Sequence, residues 1–182
     1  LIASEQTTRF TGGYDLMRIL KNNILNIWIN RYNKYNESEK GGNSMNIIVC
    51  LEDKNGMMFN KRRLSQDVAI REDIYKNMDG KSLIMNAYSY KMFSKDEPKI
   101  DIIVREDLPF CDSENLQFIE DKQLGNFESE IDKMIVYYWN RRYPSDLKFD
   151  IDFSNGKWEI VSEEEFEGNS HDKITKKVIL KK

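Results

Sequence analysis

The chain has few of the side chains that usually bind transition metals or act as catalytic nucleophiles and bases. It contains one histidine, His171, and two cysteines, Cys50 and Cys111. These are too few and too scattered for a zinc site of the usual kind, and no calcium-loop spacing is present. We therefore predict no metal site, although a carboxylate site for a hard cation stays open. A Ser-His-Asp or Cys-His enzyme would have to use His171, and the unpaired thiols fit a reducing, cytoplasmic setting.

Long apolar runs and a strong excess of one charge are also missing. No segment reaches the roughly 18 to 20 apolar residues that cross a bilayer, so we predict no contact with a membrane through a spanning helix. The formal net charge is −3 over 182 residues, without the basic surplus that phosphate binding usually shows. Nucleic acid is therefore disfavoured as the main partner. Hydrophobic residues make up 40% of the chain, which is enough for a folded core.

The composition divides the chain into two unequal parts. Residues 1–40 contain six basic and four acidic residues, and residues 14–36 predict an amphipathic helix with apolar side chains at helical spacing: Leu16, Leu20, Ile24, Ile27, Trp28 and Tyr32. Residues 41–44, Gly-Gly-Asn-Ser, form a flexible linker by composition. We predict that the helix docks on its own domain, on a protein partner or on a second copy. A membrane-surface helix is the other interpretation.

The linker also suggests a genetic origin for the second part. Lys-Gly-Gly-Asn at 40–43 can be encoded by AAAGGAGGTAAT, which contains a strong bacterial ribosome-binding site just before the codon of Met45. Our hypothesis is that residues 45–182 are a complete bacterial protein. Residues 1–44 would then be a native extension, a fusion or the product of an overlapping reading frame, and the encoding DNA would distinguish these origins.

Residues 45–182 alternate predicted strands and helices. Apolar runs predict strands at 46–51, 82–85, 100–104, 116–120 and 134–139. Helices are predicted over 65–78, with Ser65 as the cap, and from Ser89 onward. Residues 158–161 and 174–180 predict a hairpin with its turn near Gly168 and Asn169. This order predicts an α/β fold with a mainly parallel sheet, flanked by helices and closed by an antiparallel C-terminal hairpin.

The order of motifs in residues 45–182 resembles that of dihydrofolate reductase. Residues 64–69, Leu-Ser-Gln-Asp-Val-Ala, are similar to the family's Leu-Pro-Ala-Asp-Leu-Ala. Residues 81–90 are similar to its strand-to-helix segment, written Pro-Val-Ile-Met-Gly-Arg-x-Thr-Trp, and Phe149 and Trp158 follow in the family's order. The resemblance implies a dihydrofolate reductase-like fold for residues 45–182 and covers none of residues 1–44.

The resemblance also implies a chemistry for particular residues. Asp67 matches the family's acidic residue, which hydrogen-bonds the pterin ring and assists its protonation, and burial tunes such a carboxyl. Val68 matches an apolar residue of the substrate cleft, and Ser89 matches the threonine that receives cofactor phosphate. The implied function is an NADPH-dependent reductase of a dihydropterin or related heterocycle. The structural alternatives are that Asp67 favours a helix N-terminus and that Ser89 is an ordinary cap.

Two further positions of the substrate site differ from the family's pattern. Arg71 stands where a phenylalanine normally packs against the pterin, one helical turn after Asp67, and would pair with that carboxylate. Lys99 stands near the arginine that grips the folate glutamate tail, and it offers charge without the guanidinium fork. By position, Arg71 and Lys99 are predicted to be substrate-binding residues.

The cofactor side departs further from the family. Ala87 replaces the arginine that grips the 2′-phosphate of NADPH. The late Gly-Gly pair has no counterpart, because residues 112–133 contain only Gly125. These departures leave a second hypothesis open, a non-catalytic binding or interaction module on the same scaffold that uses the N-terminal helix for partner contact.

One aromatic and basic run admits two interpretations. It comprises Tyr137, Tyr138, Trp139, Arg141, Arg142 and Tyr143. Such side chains stack on bases or on a small heteroaromatic ligand. The simpler interpretation is a strand whose alternate side chains face opposite sides of the sheet.

Overall fold

The computed structural model describes residues 44–182, so the predicted helix at 14–36 lies outside the described residues. The strands are β1 (Met45–Leu51), β2 (Gly56–Phe59), β3 (Arg62–Arg63), β4 (Leu83–Met85), β5 (Ile102–Val104), β6 (Asp112–Phe118), β7 (Ile131–Tyr138), β8 (Leu147–Lys148), β9 (Trp158–Phe166) and β10 (Ile174–Lys181). The α-helices are α1 (Val68–Lys76) and α2 (Ala87–Phe93), with 3-10 turns at Ser94–Asp96 and Gly125–Glu130. Neither of these two helices is long and apolar enough to cross a bilayer.

Seven strands form one sheet in the order β5-β4-β6-β1-β7-β10-β9. β4 runs parallel to β5 and β6, and β1 runs parallel to β6 and β7. β10 is antiparallel to both β7 and β9, so the last two strands are the predicted hairpin. The prediction of a mainly parallel α/β sheet closed by an antiparallel hairpin is confirmed.

Both faces of the sheet are buried at its centre, along β1 and most of β7, which explains the apolar runs of these two strands. On β1, Ile48 and Cys50 face the core that α1 and α2 cover. Ile47 and Val49 face a second core on the opposite side, where loop residues and β2 pack. The sheet is therefore the middle layer of the domain, and its strand ends are the positions that a site can use.

The aromatic run at the end of β7 follows the alternation of the strand. Tyr137 and Trp139 pack in the core beneath the helices, whereas Tyr138 packs against the opposite core with the Lys177 ammonium 5.7 Å from its ring centroid. Strand alternation therefore accounts for this part of the run.

A second, three-stranded sheet in the order β3-β2-β8 was not among the predicted elements. Its strands are two to four residues long, too short for any hydrophobic period to develop. β2 and β3 form a local hairpin after β1, and β8, after β7, pairs with β2, so the third strand is defined by a long-range contact.

The predicted starts of both helices were wrong. α1 begins three residues later than expected, with Asp67 rather than Ser65 as its cap, because the Asp67 carboxylate accepts the Ala69 amide at 2.9 Å. α2 begins at Ala87, and Asn86 is its cap through a 2.8 Å bond from the Ser89 amide. Ser, Asp and Asn cap helices about equally well, so the local sequence does not choose between Ser65 and Asp67. The backbone amides of Asn169 and Ser170 hold the Asp67 carboxylate at the helix start.

Burial on the central strand gives a direct test of this architecture. Ile47 on β1 is fully buried, whereas Ile160 on β9 is 50% exposed. We expect Ile47→Ala to lower the free energy of unfolding by about 2–5 kcal/mol, because the lost methyl groups leave a cavity. Ile160→Ala, the same change at an exposed position, should cost about 0.5 kcal/mol or less. Urea unfolding followed by circular dichroism measures both, and equal losses would contradict the assigned register.

Candidate functional site

A small cavity lies at the carboxyl ends of three neighbouring parallel strands, the edge where open α/β sheets usually bind ligands. Cys50, Phe118 and Trp139, at or just beyond the ends of β1, β6 and β7, line one side, and residues of the segment 63–71 line the other. Its free volume is about 20 Å³, which is room for about one water molecule. A heteroaromatic ring therefore does not fit in this conformation, and the heteroaromatic ligand stays a prediction.

The Asp67 carboxylate lines this cavity and also ties α1 to the tip of the C-terminal hairpin. One oxygen accepts the backbone amides of Ala69 at 2.9 Å and Asn169 at 2.8 Å. The other accepts the Ser170 amide at 2.7 Å, with the Ser170 hydroxyl at 2.9 Å. His171 Nδ1 lies 3.1 Å from that same oxygen. Both oxygens are thus fully occupied by protein donors, and the residue is 3% exposed.

These donors determine the protonation state of the carboxyl. Burial by itself raises a carboxyl pKa, but the hydrogen bonds from the hairpin tip and from Ala69 outweigh it and hold the pKa of Asp67 well below its usual range. Asp67 is therefore an ionised acceptor rather than a group poised to give up a proton. The catalytic role that the resemblance implies for Asp67 stays a prediction.

His171 is the functional candidate that the sequence did not place. Its ring is 4% exposed and stacks on Trp139 with the ring centroids 4.8 Å apart. Nδ1 lies 3.1 Å from the ionised Asp67 carboxylate, which only accepts, and 3.0 Å from the Ser170 hydroxyl, which donates to that same carboxylate. We therefore assign the proton of a neutral imidazole to Nδ1. Nε2 is then an acceptor shared by the Ser65 hydroxyl at 3.1 Å and the Tyr143 hydroxyl at 2.9 Å. The only signal in the sequence was that His171 is the single histidine.

Arg71 does not pair with the Asp67 carboxylate, as the i,i+4 spacing predicted. Its guanidinium makes a two-pronged pair with Asp96, including an Nη2–Oδ1 bond of 2.9 Å. Nη1 donates instead to the backbone carbonyl of Asp67 at 3.3 Å, and the Tyr75 hydroxyl also donates to Asp96 at 2.9 Å. Asp96 comes from the 3-10 turn after α2, a long-range partner that no helical spacing reveals. Arg71 lines the cavity, but Asp96 already neutralises its charge.

Two of the predicted substrate residues are not brought to the cavity. Val68 is the first residue of α1 and is 38% exposed. Lys99 is exposed in the loop before β5. Neither lines the cavity, where Ile70 and Arg71 supply the α1 side chains instead. Only Asp67 and Arg71 of the predicted substrate-site residues therefore face the same space.

Ser89 is fully buried, and both its hydroxyl and its backbone amide are hydrogen-bonded within the protein. Its hydroxyl donates to Glu120 at 2.6 Å, and its amide is the one held by Asn86. Glu120, 5% exposed, also pairs with the Arg63 guanidinium at 3.1 Å. Burial raises the pKa of Glu120, and Arg63 and Ser89 oppose the rise. The group predicted to bind cofactor phosphate is thus the partner of a buried carboxylate.

Two further donors at the start of α2 are taken by acidic side chains. The Ala87 amide donates to Glu106 at 2.9 Å, and the Asn86 amide side chain donates to Asp121 at 2.8 Å. With Glu120, three carboxylates hold donors at this helix start, among them the Ser89 hydroxyl that the resemblance assigns to a cofactor phosphate. Phosphate would meet the negative charge of these carboxylates there, and of the first three amides of α2 only that of Tyr88 has no acceptor within residues 44–182. The residues present therefore do not fit NADPH in the implied manner.

The Asp67 network predicts a defined acid dependence of stability. The lowered pKa means that its stabilisation is fully present above the unfolded value near 3.9 and is lost as the pH falls below it. We expect Asp67→Ala to cost roughly 3 kcal/mol at neutral pH, because it leaves the hairpin amides and His171 without their acceptor. At pH 3 the difference from the unmodified protein should be clearly smaller. Urea unfolding at both pH values measures it.

Asp152 provides the matched control for that measurement. It is exposed and accepts only local hydrogen bonds from Ser154. Asp152→Ala should cost about 0.5 kcal/mol or less. An Asp67→Ala cost as small as this, or one that grows as the pH falls, would contradict the network.

Comparisons with known proteins identify the fold. No protein-family model and no curated protein matches the chain. A solved structure of dihydrofolate reductase from Enterococcus faecalis, complexed with NADP(H) and RAB-propyl, is similar with a TM-score of 0.53 and 9% identity. The match covers 76% of this chain and 96% of that chain. At this identity the likeness concerns the fold alone, and this chain has the dihydrofolate reductase-like fold that its motif order predicted.

Proposed function

We propose that residues 45–182 are a binding module on a dihydrofolate reductase-like scaffold and do not use NADPH. The observation that carries the proposal is the start of α2, where Glu106, Glu120 and Asp121 hold the donors that a cofactor phosphate would need. A helix N-terminus attracts one negative group, and here the protein supplies its own. A fold can persist after the chemistry of its family has gone.

The substrate side supports the same proposal. The Asp67 oxygens are occupied by the hairpin tip, and Arg71 is neutralised by Asp96. A pterin would have to displace one of these buried, charge-assisted pairs before it found a polar partner. Such pairs cost several kcal/mol to break, which exceeds what a few new hydrogen bonds return.

The binding partner in this proposal is a protein or a second copy of the chain, contacted through the predicted helix at 14–36. Its predicted stripe, with Leu20, Ile24 and Trp28 at helical spacing, needs an apolar surface to cover it. Docking onto a partner would bury the stripe and would use the folded domain as a rigid support.

A second candidate is an NADPH-dependent reductase of a dihydropterin or related heterocycle. It is favoured by the similar structure, whose title names NADP(H), and by the position of Asp67 on the cavity wall. In that case side chains at the start of α2 would have to rearrange to admit the cofactor. Asp67→Asn would then abolish dihydrofolate turnover and leave NADPH affinity nearly intact.

A calorimetric titration with NADPH separates the two candidates. For the binding module we expect no saturable heat up to millimolar cofactor, because three carboxylates stand where phosphate would bind. A functional dihydrofolate reductase titrated in the same buffer is the positive control. Saturable binding, followed by loss of NADPH absorbance when dihydrofolate is added, would reject the binding module in favour of the reductase.

The partner contact has its own test in the oligomeric state. We expect the full chain to self-associate more strongly than residues 45–182, because the predicted apolar stripe is absent from the shorter chain. Ile24→Asp, within the stripe, should weaken association about tenfold, whereas Asn22→Asp, the same charge on the face opposite the stripe, should leave it unchanged. Sedimentation velocity over a concentration series measures this. Identical behaviour of all four proteins would count against self-association.

A further inference from the structure

Three side chains beside the cavity have the mutual geometry of a nucleophile, a base and an orienting acid. The Ser65 hydroxyl lies 3.1 Å from His171 Nε2, and Nδ1 of the same ring lies 3.1 Å from the Asp67 carboxylate. Nucleophile-to-base and base-to-acid contacts at this distance are what a Ser-His-Asp arrangement requires. They are brought together by long-range packing, since His171 is on the hairpin tip and Ser65 precedes α1.

The surroundings hold the imidazole in the form that accepts a proton from serine. Ionised Asp67 accepts a hydrogen bond from Nδ1–H, so the lone pair of Nε2 faces the hydroxyls of Ser65 and Tyr143. The Trp139 ring stacks on the imidazole at 4.8 Å, which fixes the ring plane. The Asp67 charge also stabilises the imidazolium that forms when Nε2 takes a proton.

Ser65 is placed where a substrate can reach it. Unlike His171 and Asp67, which are almost fully buried, it is half-buried and lines the cavity. The next residue, Gln66, is exposed and lines the same cavity. Within residues 44–182, neither amide of Gln66 donates to a protein acceptor, so a backbone and a side-chain donor lie next to the nucleophile. Such donors stabilise the oxyanion of acyl transfer.

We propose that Ser65 is a nucleophile and His171 its general base in the hydrolysis of carboxylic esters with a small acyl group. Ser65 Oγ forms a bond to the carbonyl carbon while its proton passes to His171 Nε2. The bond from that carbon to the alkoxy oxygen breaks, and the alcohol leaves with the proton. Water then attacks the acyl carbon through the same base, which releases the acid and restores the serine. The net reaction is ester plus water to acid plus alcohol.

The cavity restricts the substrate to short acyl groups. Its free volume is about 20 Å³, and Met57, Ile70 and Phe118 contribute apolar wall. An acetyl group places one methyl there, whereas a long chain would have to displace packed side chains. The proposal goes beyond the binding module and does not depend on it, because ester hydrolysis by Ser65 and His171 requires no cofactor, whereas the observation that carries the module proposal is the start of α2.

Covalent labelling of the full chain tests the nucleophile. Methanesulfonyl fluoride, whose methylsulfonyl group is close to an acetyl group in size, should sulfonylate Ser65, with the sulfur–oxygen bond formed and fluoride released, and peptide mass spectrometry should locate one adduct there. Ser65→Ala should remove the adduct and lower p-nitrophenyl acetate hydrolysis about 100-fold. Ser154→Ala is the matched control, since Ser154 is exposed and bonds Asp152 without a histidine. It should behave like the unmodified protein.

Two further variants test the parts played by neighbouring groups. Tyr143 shares Nε2 with Ser65, so Tyr143→Phe should raise the labelling rate several-fold, and a fall would overturn the direct Ser65–His171 pair.

Asp67 is a positioning residue, and Asp67→Asn should lower kcat for p-nitrophenyl acetate about tenfold with KM nearly unchanged. An unchanged kcat with an altered KM would overturn that part of the proposal.

The labelling experiment also has an outcome that ends the proposal. A folded protein with no adduct on Ser65, or with ester hydrolysis equal in Ser65→Ala and Ser154→Ala, would show that the cluster only anchors the hairpin. Neither outcome bears on NADPH binding, so this proposal and the binding module fail or succeed separately.

Discussion

The hydrogen bonds of the Asp67 carboxylate are the interactions on which the structure around the cavity depends most. It begins α1 by accepting the Ala69 amide, and it holds the hairpin tip by accepting the amides of Asn169 and Ser170. The approach is so close that a side chain at Gly168 would lie 2.6 Å from the carboxylate oxygen. One ionised group thus joins the first helix to the last hairpin, which are about a hundred residues apart. Buried charge is tolerable here because every lone pair meets a donor.

The same carboxylate determines what His171 can do. By accepting a hydrogen bond from Nδ1–H, it leaves Nε2 to face the hydroxyls of Ser65 and Tyr143. A structural cap and a catalytic orienting acid need the same features, namely an ionised, buried and fully hydrogen-bonded carboxylate. Asp67 therefore serves the fold whatever chemistry the neighbouring hydroxyls perform.

At the start of α2, acidic side chains bind the donors that a phosphate-binding helix would leave free. In a helix that binds phosphate, the first amides stay free for the ligand. Here the Ala87 amide and the Ser89 hydroxyl are taken by Glu106 and Glu120, and Arg63 partly balances the charge. The domain thus satisfies these groups at its own helix end, which stabilises the fold. This is the feature on which the binding-module proposal depends.

What the sequence by itself determined was the layering of the domain. Short apolar runs in β1 and β7 favour strands covered on both faces, and two further strand patterns on either side of Gly168 and Asn169 favour a hairpin, because these signals are local. The order of these elements was enough to predict the fold. Tertiary structure alone decided the site: whether Asp67 or Ser65 caps α1, that Arg71 pairs with Asp96, and that His171 meets Ser65. These contacts join residues far apart in the chain, and electrostatic pairing depends on distance in space rather than on spacing in sequence.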